Sequence, residues 1–91
     1  MVALAYVLID CPVGKELEVY KEIENLKKPS IDPKLETRVD EVHMLWGNYG
    51  LIARVVSPDF NQLGVYVIDK IRSAHDVTGI KVLTAITFSH K

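Results

Sequence analysis

The chain has 91 residues, 48% hydrophobic and 25% charged, enough for one domain with a single modest core and too few for two. Eleven basic against twelve acidic residues leave a net charge of −1, which gives no electrostatic footprint for direct DNA binding or for an anionic membrane. The lone Cys11 excludes an internal disulfide and fits the cytoplasm. The longest apolar run, residues 2–9, is too short to cross a bilayer and lacks the flanks of a signal peptide.

Residues 2–9 are apolar at every position and rich in Val, Tyr and Ile, as expected for a strand buried on both faces. Turn chemistry follows at Asp10, Cys11, Pro12, Val13 and Gly14. From Lys15 the period changes. Leu17, Tyr20, Ile23 and Leu26, with Val19 beside them, form the stripe of an amphipathic helix, and Lys15, Glu16, Glu18, Lys21, Glu22 and Glu24 form its solvated face. The stretch from Lys27 to Lys34 holds Pro29 and Pro33 and reads as an exposed loop. Thr37 to Trp46 alternates loosely and Leu51 to Val56 is again apolar. The Gly47, Asn48, Tyr49, Gly50 segment between them predicts a hairpin.

Ser57, Pro58 and Asp59 open a second helix, with Ser or Asp available as cap. Phe60, Leu63, Gly64, Val67, Ile71 and Ala74 make the cleanest helical stripe in the chain. His75 to Gly79 is a connector, and Ile80 to Phe88 is a final strand. The order β-α-β-β-α-β predicts an α+β, ferredoxin-like sandwich. It is a four-stranded antiparallel sheet with strands one and three at its centre and both helices on one face. Arg38, Asp40, Glu41 and Lys81 fall on the edge strands, where charge discourages unwanted pairing. Strand one is apolar on both faces and strand three nearly so. A bare apolar sheet face exceeds what a monomer usually exposes, so a two-fold dimer, sheet against sheet, is expected.

Four segments carry a family resemblance. Ala5-Tyr6-Val7-Leu8-Ile9 followed by Pro12-Val13-Gly14-Lys15-Glu16 resembles the opening of the RAM domain, the effector-binding half of the leucine-responsive (Lrp/AsnC) regulators. Val42 through Ile52 resembles its central hairpin. Ser57-Pro58-Asp59-Phe60 with Val67-Ile68-Asp69-Lys70-Ile71 resembles its second helix, and Gly79-Ile80 the start of its last strand. The resemblance implies a homodimer, often assembled into higher oligomers of dimers, with a small amino-acid effector held between dimers near the hairpin. The family's DNA-binding helix-turn-helix has no counterpart in these 91 residues. A stand-alone domain is therefore expected, one that acts on transcription through a full-length Lrp-type regulator. Where Gly50 stands, the family usually has an acidic residue to meet the ligand's ammonium group. The loop from Lys27 to Lys34 is longer than usual.

The candidate ligand-binding residues are Trp46, Gly47, Asn48, Tyr49 and Gly50. Glycines admit close backbone approach and offer N–H groups to a carboxylate, Asn48 donates and accepts, and two aromatics can wall a pocket. Glycines in an ordinary turn also simply supply positive φ. No catalytic residue, metal or cofactor is expected. The histidines His43, His75 and His90 do not pair at ligand spacing, and Cys11 reads as a half-buried structural thiol. Thr84 and Thr87 fit a strand as well as a ligand contact. The competing class is a small dimeric α+β barrel enzyme, a monooxygenase or isomerase, using His43 or Tyr49. Its histidine would have to project into a cavity between the sheet and its helices.

Overall fold

In the computed structural model, residues 3–27, 36–46 and 50–85 are described. Strand β1 (Ala3–Asp10) runs antiparallel between β3 (Leu51–Ser57) and β4 (Gly79–Ala85), and β2 (Arg38–Met44) pairs outside β3, giving the order β2-β3-β1-β4. Helix α1 (Glu16–Glu24) joins the first two strands. Helix α2 (Phe60–Tyr66), prolonged by a π-helical segment (Val67–Arg72), leads from β3 to β4. This is the ferredoxin-like sandwich, with the two most apolar strands at the centre. No helix among the described residues is long and apolar enough to cross a membrane.

Alternation builds the core. Ala3, Ala5, Val7 and Ile9 of β1 and Leu51, Ala53 and Val55 of β3 turn to the helices and are fully buried. They meet Val19 and Ile23 of α1 and Leu63, Val67 and Ile71 from the second helical region in one cluster. In β2 the buried pair is Val39 and Val42, a spacing of three that a period of two cannot supply. A register shift between Val39 and Glu41 provides the extra residue.

The second helical region follows from its sequence in two respects. Asp59 is extended and accepts from the Gln62 backbone N–H at 2.8 Å and from Gln62 Nε2 at 3.0 Å, so it is the cap. Ser57 instead ends β3 and shares a buried 2.6 Å hydrogen bond with Thr37. Leu63, Val67 and Ile71 are spaced by four throughout, and each such step overshoots an α-helical turn by about 40°. Wider π turns from Val67 reduce that drift and keep Val67 and Ile71 on the sheet.

Two expectations change. Leu17 is half exposed rather than part of the core stripe, because α1 spans only Glu16–Glu24 and seats Val19 and Ile23 on the sheet. The helix-free sheet face is apolar over only part of its width. By register, Leu4 lies between Val56 and Ala85, Tyr6 between Arg54 and Leu83, and Leu8 between Ile52 and Lys81. Toward β2 the face is charged. Asp40 accepts from Arg38 Nη1 at 2.8 Å and from Arg54, and Glu41 Oε2 lies 3.9 Å from Arg54 Nη1. The register shift lets the consecutive acids Asp40 and Glu41 address one arginine.

Candidate functional site

The predicted hairpin sits where the end of β1, the start of α1 and the β2–β3 connection meet. Leu45 N–H donates to the Gly50 carbonyl at 2.9 Å, closing the hairpin, and Gly50 N–H donates to the Ile9 carbonyl at 3.0 Å. Gly50 is thereby tied to both neighbouring strands. A Cβ at this position would stand 3.0 Å from Cys11 Sγ, 3.5 Å from the Ile9 carbonyl oxygen and 3.6 Å from Glu16 Cγ. Close approach, not positive φ, accounts for this glycine; among the described glycines only Gly14, at φ +93°, is left-handed.

Of the five candidate residues, Trp46 and Gly50 are described, and Gly47, Asn48 and Tyr49 lie outside the described residues. Trp46 is fully exposed, with Met44 and Leu45 half exposed beside it. With Glu16 these three side chains line a cleft of about 520 Å³. Trp46 is thus open to solvent, and Gly50 is packed inward.

Glu16 is the residue that sequence reasoning placed elsewhere. The helical period assigns it to the solvated face, yet it is only partly exposed. Its Oε1 accepts from the Gly14 backbone N–H at 2.9 Å, which draws the side chain back over the turn and against Gly50. The one signal for this in the sequence is the glycine at position 50, where a side chain would otherwise stand.

Cys11 packs partly buried against the core. Burial pushes its thiol pKa up, and the negative charges of Glu16, Asp10 and Asp76 push it further. It stays a neutral thiol at physiological pH, a poor nucleophile.

The histidines do not converge with it. His43 is exposed on the edge strand β2, on the sheet face away from the helices, with Nε2 3.5 Å from Glu41 Oε1. That is not the projection into a sheet–helix cavity which an α+β barrel enzyme would need. His75 is exposed beside Asp76, and His90 lies outside the described residues. Thr84 is exposed on β4, and Thr87 lies outside the described residues. No group of three His, Cys, Asp or Glu among the described residues could hold a metal ion. A larger groove, about 630 Å³, opens between the end of α1 and α2 beside Asn25, Gln62, Tyr66 and Lys70; neither Trp46 nor Gly50 lines it.

No protein-family model and no curated protein matches the sequence. Solved structures do match. TTHA0845 from Thermus thermophilus is 25% identical with a TM-score of 0.76, and the match covers both chains completely. AsnC from E. coli is 16% identical with a TM-score of 0.74; the match takes in 98% of this chain and 54% of AsnC. The transcriptional regulator NMB0573 from Neisseria meningitidis, solved as a complex with L-Met, is 16% identical with a TM-score of 0.66, over 97% of this chain and 53% of its own. The chain thus spans about half the length of these regulators and the whole of TTHA0845. Its fold is the one that the resemblance to Lrp/AsnC regulators implies.

Proposed function

We propose that the 91 residues form a single Lrp/AsnC-type effector-binding and oligomerisation domain, not an enzyme. In this reading it binds a small amino acid beside Trp46, Gly47, Asn48, Tyr49 and Gly50. It works in the cytoplasm and acts on transcription through a full-length Lrp-type regulator rather than by touching DNA itself. The observation that carries the reading is the fold match over nearly the entire chain to AsnC and to a regulator solved with L-Met. A cleft at the hairpin base, with Trp46 fully exposed, supports the location. The helix-free sheet face supports a homodimer, built further into oligomers of dimers. There, Leu4, Tyr6, Leu8 and Leu83 form an apolar strip that a second copy would cover.

A thermal-shift screen of the twenty amino acids tests the reading. A ligand at 100 times its Kd that binds only the folded state adds about 2.7 kcal/mol. For a domain of this size that is a rise in Tm of roughly 10 °C. One amino acid, or a chemically related few, is expected to raise Tm in this way, with Asn48→Ala and Tyr49→Ala weakening the effect. Twenty blanks would contradict it.

A further inference from the structure

We infer that Glu16 is the cation-recognising group of the hairpin cleft, so that this site takes a ligand carrying a free ammonium group next to an apolar side chain. The inference deepens the function proposed above and rests on it for the ligand's identity as an amino acid. The chemistry of the cleft carries the rest.

Among the described residues lining the cleft Glu16 is the one that is charged, and the others are Met44, Leu45 and Trp46. All three present apolar surface to solvent. One carboxylate beside three apolar side chains fits the ammonium group and apolar side chain of an amphipathic ligand. The carboxylate is also held in place. Its Oε1 accepts from the Gly14 N–H at 2.9 Å, and its Cγ lies 3.6 Å from where a Cβ of residue 50 would be. Glycine at position 50 is what leaves room for the Glu16 stem. A carboxylate has about four acceptor sites, and the turn uses one, so Oε2 remains for an ammonium N–H.

The surroundings do not neutralise it. Lys15, the adjacent cation, bonds Glu18 at 3.2 Å instead. Asp10 and Asp76 add negative charge around Cys11 together with Glu16.

Trp46 is the only tryptophan in the chain, so its fluorescence reports directly on this cleft. The test titrates the wild type and Glu16→Gln with three probes of one side chain: L-leucine, L-leucinamide, which keeps the amine without the carboxylate, and 4-methylpentanoate, which lacks the amine. Gln retains an oxygen to accept from Gly14, and an unchanged Tm verifies that the fold persists. Leucinamide is expected to shift Trp46 emission and to bind about tenfold or more tightly than 4-methylpentanoate, a preference that Glu16→Gln removes. Equal binding of the two probes, equal leucinamide binding by wild type and Glu16→Gln, or no response to any probe would overturn the assignment. The two levels separate cleanly. Leucinamide binding that depends on Glu16, with twenty blanks in the thermal screen, sustains the role of Glu16 and defeats the amino-acid reading. Amino-acid binding indifferent to Glu16→Gln does the reverse.

Discussion

At Gly50 a single methyl group, and at Ser57 a single oxygen, bears on local stability. At Gly50 an added Cβ meets Cys11 Sγ at 3.0 Å, so Gly50→Ala should destabilise by about 1–3 kcal/mol in urea denaturation, as overpacking does. Cys11→Ala in the same chain should recover much of the loss, because it removes the opposing sulfur. Ser57 is fully buried and bonded to Thr37 at 2.6 Å. Ser57→Ala strands the Thr37 hydroxyl and should cost about 1–3 kcal/mol. Adding Thr37→Val removes the orphan, so the double variant should be more stable than the two losses summed. Burial and neighbouring acids raise the Cys11 pKa above its ordinary value of 9.0. A group that holds its proton more tightly when folded contributes its stability below the unfolded pKa and loses it as pH rises through the folded one. Alkylation by iodoacetamide at pH 8 should accordingly be slower in the native protein than in urea. Equal rates would show a freely ionising thiol.

Helix α2 depends on its cap. Asp59 satisfies the Gln62 N–H and grips the Gln62 side chain. Asp59→Ala should cost about 1 kcal/mol, against about 2–5 kcal/mol for Leu63→Ala in the core beneath. Thermal melts of the two variants check the ranking. These elements also mark how far the sequence carries. The period of Leu63, Val67 and Ile71 announces a helix but not its π-helical turns from Val67. The uniformly apolar β1 announces a central strand. The spacing of Val39 and Val42 contains the β2 irregularity, though it reads as loose alternation until β3 fixes the register. Leu17 misleads, since periodicity says which residues share a stripe but not where the helix settles on the sheet. Glu16 was illegible for a different reason. Its position comes from a backward contact to Gly14 and from a glycine 34 residues away in sequence, and no local pattern encodes either. Gly50 was read as letting a ligand approach the backbone, whereas what approaches it here is Cys11, Ile9 and Glu16 of the same chain. Asn48 and Tyr49 stand where the sequence reading put them, as proposals.

At the scale of the whole molecule, the helix-free face sets the account apart from that of a self-sufficient monomer. The apolar positions of β1 and β4 occupy one part of that face, and the Arg38–Asp40–Arg54–Glu41 cluster occupies another. In the proposed reading the apolar strip favours association, and the partly exposed Arg54 and Glu41 of the charged cluster restrict how two copies align. Leu83→Asp puts a charge into the strip from β4, at a half-exposed position. It should dissociate the assembly while leaving the helix-side core of each copy intact by circular dichroism. With its net charge of −1, the chain alone should not retard duplex DNA at nanomolar concentration. A salt-dependent retardation would count against action through a partner regulator.

Light scattering coupled to gel filtration, on the wild type and Leu83→Asp at micromolar concentration, bears most directly on the claim that the chain works as a self-associating effector domain. The wild type should have an even multiple of the 10.3 kDa chain mass, and Leu83→Asp should fall to a folded single chain. A wild type that is itself a soluble, cooperatively folded monomer would contradict it.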